Sequence, residues 1–371
     1  MRDLLPELRR WWDADERFAL ATVVAVRGSA PRDPGASMAV SASGEAVGSV
    51  SGGCVEGAVF ELATEVLATG QPVLQTYGIS DDEAFAVGLT CGGVLDILVR
   101  PAAELLRTVA ASIDAQEPVA LATIVDGDGA LAASMAVWAD RVDGTLGATG
   151  LDAAVTDDAR GLLAQGQTGI RHYGPNGQRR QDEVAVFVES FAPPPRLLVF
   201  GAIDFAAAVA RIGNYLGYRV TVCDARPVFA TARRFPDADE VVCEWPHRYL
   251  AGTHVDPRTV ITVLTHDPKF DVPLLEVALR TPAAYIGAMG SRRTHDDRVA
   301  RLREVGVDEK SLARLRSPIG LDLGARTPEE TAVSIAAEII GLRWGGSGRP
   351  LGETAGDIHR HSIQPDGLRA T

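Results

Sequence analysis

Three polar, glycine-rich loops in the first quarter of the chain carry the residue types best suited to holding an anion. They are Gly28-Ser29-Ala30-Pro31-Arg32-Asp33-Pro34-Gly35, Ser51-Gly52-Gly53-Cys54-Val55-Glu56 and Cys91-Gly92-Gly93. Glycines such as Gly52 and Gly53 let a backbone approach an anion. Consecutive N–H groups running into a helix at Val55 would make a nest for a phosphate or another oxyanion. Arg32 is suited to clamp such a group by charge-assisted hydrogen bonds. Cys54 would sit at the helix start, where aligned amides favour negative charge. Glu56 would serve as an acid or base, or only as a first-turn carboxylate. Two thiols near the nest, Cys54 and Cys91, would bind a soft metal or carry sulfur. The competing reading is a set of tight strand turns with small buried cysteines.

A second group of loops lies in the last third: Thr265-His266-Asp267, Gly287-Ala288-Met289-Gly290-Ser291-Arg292-Arg293 and Pro318-Ile319-Gly320-Leu321-Asp322-Leu323-Gly324-Ala325. Ser291, Arg292 and Arg293 at a helix start would hold a phosphate, unless Ser291 is an N-cap and the arginines a solvated first turn. His266 beside Asp267 is an acid–base pair or a structural turn. Upstream, the strand at 197–200 runs into Gly201-Ala202-Ile203-Asp204-Phe205-Ala206, where a dinucleotide fingerprint wants three glycines and only Gly201 is in register. Asp204 stands where a pyrophosphate would lie. Asp224, at the ribose-binding position, is in place. The half-intact pattern predicts a Rossmann architecture and argues against tight NAD(P) binding.

The scaffold that positions the first group is duplicated. Ala19-Leu20-Ala21-Thr22-Val23-Val24 returns as Ala120-Leu121-Ala122-Thr123-Ile124-Val125, Ala36-Ser37-Met38-Ala39-Val40 as Ala133-Ser134-Met135-Ala136-Val137, and Tyr77-Gly78 as Tyr173-Gly174. The offset drifts from 101 to 97 to 96, as for two units that share a core and differ in loops. The second copy lacks the three glycine-rich loops, the Ser51–Glu56 turn included, which places the chemistry in the first. The expected domains are 1–192, with repeats at about 1–102 and 103–192, a proline linker at 193–195, a Rossmann-like domain at 196–344 and a polar tail at 345–371. The expected fold class is α/β: a duplicated α/β domain followed by a doubly wound parallel sheet. In the first copy a helix is expected over Val55 to Ala68, and in the second over 152–165.

Composition sets the outer bounds. The 371 residues are 46% hydrophobic and 23% charged, ordinary globular values, with a net charge of −13 that argues against nucleic acid as a partner. No apolar run approaches the length needed to span a membrane. The four cysteines form no Cys-x-x-Cys pair, and there is no secretory leader, so a cytoplasmic protein with reduced thiols is expected.

Taken in order, the motifs Gly28–Arg32, Ser51–Glu56, Cys91–Gly93, Thr265–Asp267, Tyr285–Arg293, Pro318–Ala325 and Thr327-Pro328-Glu329-Glu330 resemble those of the xanthine dehydrogenase accessory family, also called XdhC/CoxI, over about residues 8–344. The resemblance implies a chaperone for a molybdenum hydroxylase. Such a protein binds the molybdopterin cofactor, assists addition of its terminal sulfur by a cysteine desulfurase, and hands it to the apoenzyme. It implies a cofactor site at Ser29, Arg32, Gly52, Gly53, Cys54, Glu56, Cys91, Ser291, Arg292 and Arg293, with Cys54 as the contact for molybdenum or sulfur, and it leaves a homodimer open. The chain departs from the family's glycine-rich turn at Gly201–Phe205. An NAD(P)-dependent oxidoreductase with His266 as acid–base, and a scaffold protein without ligand, are the alternative readings.

Overall fold

A computed structural model describes residues 1–28, 32–78, 93–127 and 130–355, and divides the chain into two compact units that meet at Pro193 and Pro194. The first unit runs twice through one succession of elements. The first pass is α1 (Leu5–Asp13), β1 (Phe18–Arg27), β2 (Ser37–Ser41), β3 (Ala46–Gly48), α2 (Glu56–Thr69), β4 (Val73–Tyr77) and β5 (Val94–Pro101). The second is α3 (Glu104–Asp114), β6 (Val119–Gly127), β7 (Ser134–Val137), β8 (Val142–Gly144), α4 (Thr149–Gln165), β9 (Gly169–Tyr173) and β10 (Val184–Phe191). Each pass makes an antiparallel sheet, ordered β3-β2-β1-β5-β4 and β8-β7-β6-β10-β9.

The period-two alternation of the strands explains the layering. Ala19, Ala21 and Val23 of β1 pack with Val59, Ala63 and Val66 of α2, and Ala120, Ala122 and Ile124 of β6 pack with Val155, Ala159 and Leu162 of α4. The opposite sheet faces meet each other: Val24 and Leu98 pack with Val125, Ala185 and Phe187. Helices α1 and α3 add Leu8, Trp11, Leu106 and Val109 to a second interlayer cluster with Phe18, Leu20 and Leu121. The duplication extends to irregular details. Val24 and Val125 are bulged out of register at equivalent points. A Cβ at Gly48 would strike the Ser37 carbonyl and Leu4, and one at Gly144 would strike the Ser134 carbonyl and approach Leu105.

Between the two apolar interlayer clusters runs a polar seam. Thr22 and Ser37 hydroxyls lie 3.4 Å apart on one sheet, Thr123 and Ser134 3.1 Å apart on the other. Arg100 of β5 crosses between them and donates to Ser134 at 2.6 Å and Thr123 at 3.4 Å. Arg100 pairs with Leu20 in its sheet, and its counterpart, opposite Leu121, is Glu189. Both are buried, at 8% and 7% exposure. Burial pulls the guanidinium down to about 10, against the attraction of Glu189. Burial likewise pushes the Glu189 carboxyl up, opposed by the Met1 amine 3.7 Å away and by Arg100.

The second unit contains β11 (Arg196–Phe200), α5 (Asp204–Tyr215), β12 (Arg219–Asp224), β13 (Glu240–Cys243), α6 (Pro246–Gly252), β14 (Val260–Val263), α7 (Pro268–Ala278), β15 (Tyr285–Ala288), α8 (Arg292–Glu304), α9 (Glu309–Leu312), β16 (Leu315–Arg316) and α10 (Pro328–Trp344). Its strands are all parallel, in the doubly wound order β13-β12-β11-β14-β15-β16. Near-continuous apolar strands feed both faces: Val199 and Val220 pack with Val209, Ile335 and Ile339, whereas Leu198 and Ile261 pack with Leu274, Leu275 and Leu302. The expected α/β class, duplicated and then doubly wound, is the observed one. Helices α6 and α9 escape a periodicity reading because they are only 7 and 4 residues long.

The buried seam makes a stability test. Arg100→Met strands the Ser134 and Thr123 hydroxyls and removes a counter-charge from Glu189, so it should cost about 3–5 kcal/mol in denaturant unfolding. Arg100→Met with Glu189→Met together should cost less than the sum of the single changes. Additive losses would mean that the two groups do not sense each other.

Candidate functional site

The three candidate loops start from a single end of the first sheet. Arg27 at the end of β1 pairs with Val94 at the start of β5, Leu95 pairs with Tyr77 at the end of β4, and Gly48 at the end of β3 pairs with Met38. The segments after Arg27, Gly48 and Tyr77 therefore start from one edge. Ser29 and Cys91, together with Gly92 and the stretch from Ile79, lie outside the described residues. At the same edge is a cavity of about 280 Å³ lined by Arg32, Ser37, Gly48 and Ser49, with Asp3 and Glu7 contributing acidic groups. Arg32 is exposed, and its pocket neighbours bring it next to the base of the Ser49–Val55 loop.

That loop is organised by one carboxylate. Glu56, first residue of α2, accepts from the Ser49 hydroxyl at 2.6 Å, the Ser51 amide at 2.9 Å, the Ser51 hydroxyl at 2.6 Å and the Gly53 amide at 2.9 Å. The Ser51 hydroxyl in turn accepts from the amides of Cys54 and Val55, each at 3.0 Å, and Ser49 Oγ accepts from Gly52 at 2.9 Å. All five amides from Ser51 to Val55 are thus taken by side chains of the same loop. The expected open nest for an external anion is not what these N–H groups form, because Glu56 fills it from inside. Partial burial pushes the Glu56 carboxyl up, but hydrogen bonds from Ser49 and Ser51 outweigh it and hold the pKa at about 2. Glu56 is an ionised brace and not a free acid or base. Cys54, half-buried, stands two residues before α2, with no disulfide.

The second copy corrects one expectation. Its β8–α4 turn has the same brace: Asp152 accepts from the Thr145 hydroxyl at 2.7 Å and the Leu146 amide at 2.8 Å. The turn is shared, and what differs is its length. Helix α4 begins at Thr149, earlier than the expected residue 152, whereas Gly53, Cys54 and Val55 at the equivalent positions remain outside α2. The first copy has unwound one helical turn into a loop in which Gly52 and Gly53 have φ of +76° and +117°. Similarly, the left-handed residue that closes the β1–β2 loop is Gly35 at φ +97° in one copy and Ala132 at +66° in the other. The braces at Ser49 and Ser51 were missed in sequence; the signal was a serine five residues ahead of a first-turn glutamate.

In the second unit the expected nucleotide position is closed by its own side chains. Gly201 has φ +111°, and a Cβ there would strike Thr265. Asp224, expected to await a ribose, is 3% exposed and accepts from the Ala202 amide at 2.7 Å. It also takes both arms of Arg226, at 2.9 and 2.7 Å. Burial pushes the Asp224 carboxyl up, and these bonds reverse the shift to a net lowering. Asp204 is exposed and lies 3.3 Å from Arg234. Ser291 is the N-cap of α8, its hydroxyl accepting from Thr294 at 3.1 Å, and Arg292 and Arg293 are exposed in the first turn. His266 is exposed, while Asp267 caps α7 and pairs with Lys269 at 3.1 Å, so the Asp267 carboxylate is engaged first by Lys269 and only weakly by His266. The buried Arg298, unread in sequence, ties Asp271 at 2.8 Å to the Met289 carbonyl at 2.8 Å and to Ser317 at 3.0 Å. Among the described residues no group of three or more His, Cys, Asp or Glu side chains is placed to hold a metal, and no helix is long and apolar enough to cross a membrane.

The Glu56 brace has a pH signature. A depressed carboxylate stabilises the fold fully above its ordinary 4.5 and loses that contribution as pH falls towards about 2. Glu56→Gln should lower the unfolding temperature at pH 7 by the loss of about 1–3 kcal/mol of charged hydrogen bonding. The gap from the parent should narrow once pH drops below about 4.5. A gap constant from pH 7 to pH 3 would refute the brace.

Comparison with known proteins agrees with this architecture. The XdhC Rossmann domain family matches residues 197–339, and the XdhC and CoxI family matches 11–78 and 112–174, corresponding parts of the two copies. The chain is 28% identical over 337 residues to a probable xanthine dehydrogenase subunit of Bacillus subtilis, covering 88% of this chain and 94% of that protein. It is 28% identical over 329 residues to the molybdenum cofactor insertion chaperone PaoD of Escherichia coli, covering 87% and 83%. A crystal structure described as a xanthine dehydrogenase from Bacillus halodurans superposes with a TM-score of 0.67 at 25% identity, covering 94% of this chain and 97% of the other. With both halves of the duplicated unit and the Rossmann sheet matched, this chain belongs to the XdhC and CoxI family.

Proposed function

We propose that this chain is an accessory protein for a xanthine dehydrogenase-type molybdenum hydroxylase. It takes up the molybdopterin cofactor, presents it to a cysteine desulfurase for its terminal sulfur, and delivers it to the apoenzyme. The observation that carries this reading is that the segments after Arg27, Gly48 and Tyr77 leave the first sheet at one edge, where Arg32, Gly48 and Ser49 line a cavity. The likeness to an insertion chaperone supports it. The residues fit such a cargo in a particular way. Since the loop amides are held by Glu56, Ser51 and Ser49, and the Ser49 and Ser37 hydroxyls already donate to Glu56 and to the Gly35 carbonyl, the cofactor's phosphate is left to Arg32. Cys54, in the unwound turn, supplies a soft ligand for the metal or its sulfur. Ser291, Arg292 and Arg293 are proposed as a separate anion contact.

The oxidoreductase alternative asks for a dinucleotide at Gly201–Phe205. There the Ala202 amide is held by Asp224, which is itself neutralised by Arg226. We infer that NAD(P) binds weakly or not at all.

Two measurements test these readings. Arg32→Ala should weaken molybdopterin binding by roughly 1.5–3 kcal/mol, about 10- to 150-fold. Cys54→Ser, nearly isosteric, should keep the fold while lowering cofactor retention or the yield of active dehydrogenase. Equal retention and equal activation by parent and both variants would sink the site. Calorimetric titration with NAD and NADP should give dissociation constants above about 10 μM, and tighter binding would restore the oxidoreductase reading.

A further inference from the structure

The cavity beside Arg32 has walls of opposite charge. Arg32 enters it from the β1–β2 loop, and Asp3 and Glu7 enter it from the 3-10 turn Arg2–Leu4 and from α1. Leu4, which a Cβ at Gly48 would strike, is packed hard against β3 and so seats both acids at the cavity. Among the described residues neither carboxylate accepts a hydrogen bond or lies within ion-pair distance of a cation. The arginines of the same segment are turned elsewhere: Arg2 donates to the Ala192 carbonyl at 2.7 Å, Arg9 to Asp114, and Arg10 to both oxygens of Glu45 at 2.6 Å. Two carboxylates four residues apart in one helical run are neighbours and repel. The second copy lacks this arrangement. Leu105 lies against Gly144 as Leu4 lies against Gly48, so Glu104 stands at the position of Asp3 and Thr108 at that of Glu7. There the acid is answered by Arg107, 3.8 Å from Glu104.

A site for phosphate alone would be weakened by these acids, because like charges repel. A ligand that carries an anion on one side and paired N–H donors on another satisfies both walls. We propose that Glu7, with Asp3 beside it, accepts from the amino group and ring N–H of a 2-amino-4-oxopyrimidine edge while Arg32 holds the phosphate of the same molecule. Such an edge presents two parallel donors, and a carboxylate, with two acceptor oxygens, takes them together. The inference rests on the molybdopterin reading above, since the pterin ring carries this edge. Guanine carries the same edge, and the test separates the two. Glu7 and Asp3 are then the groups that select the ring, and Arg32 the group that holds its charged end.

Calorimetric titration of the full chain with neopterin monophosphate, with the lumazine form of the same compound and with GMP tests this. In the lumazine a carbonyl replaces the amino group and faces the carboxylates. The parent should bind the pterin about 10- to 100-fold more tightly than the lumazine, and more tightly than GMP. Glu7→Gln should lose most of that preference at an unchanged melting temperature, because Glu7 holds no hydrogen-bonded partner in the chain. Asp3→Asn should lose less of it. Arg32→Ala should weaken pterin and lumazine alike and leave their ratio intact. A parent that binds molybdopterin but binds pterin and lumazine equally, or neither, overturns the inference and leaves the chaperone reading standing. Failure to bind molybdopterin at all overturns both. Tighter binding of GMP than of the pterin overturns the inference, as does a preference that survives Glu7→Gln combined with Asp3→Asn.

Discussion

The first unit depends on satisfying an arginine between two sheets. Arg100 lies in an interlayer otherwise built from Val24, Leu98, Phe187 and their neighbours, where an unpaired charge would be costly. Its partners come from the other copy: the Ser134 and Thr123 hydroxyls, and the field of Glu189. Two identical halves could not have been joined this way. Position for position Arg100 and Glu189 are equivalents, and two arginines or two glutamates there would repel across a medium that screens poorly. The duplicated scaffold is therefore chemically asymmetric where its two sheets meet.

The same logic of internal satisfaction runs through the loops. Glu56 and Asp152 brace equivalent turns, Asp224 holds the turn after β11, and Asp271 anchors Arg298 at the strand ends. In each case a carboxylate takes hydrogen bonds that an external anion would otherwise take. The loops are thereby braced by groups of the chain itself. In the first copy the extra freedom comes from unwinding a helical turn at Gly52-Gly53-Cys54, made cheap by two glycines in the left-handed region. In the second copy that turn stays helical, and no thiol is presented.

What was legible in the sequence by itself was whatever repeats or alternates locally. The copied segments around Leu20 and Leu121, the parallel β/α alternation and the Thr327–Glu330 capping box all depend on near neighbours and survive as read. Their physical basis is period and propensity, which a linear string records. The Ser51–Glu56 loop was legible as polar and glycine-rich, but not as the counterpart of the turn that Asp152 braces in the second copy. Its internal chemistry was not legible. Whether the amides of Gly53 and Ala202 face a ligand or a carboxylate is decided by side chains three and 22 residues away and by the path of the chain between them. Only the tertiary structure brought Glu56 back onto its own loop, folded Asp224 over the Rossmann turn and set Arg100 against the second copy, because burial forces each polar group to find a partner wherever the packed chain supplies one.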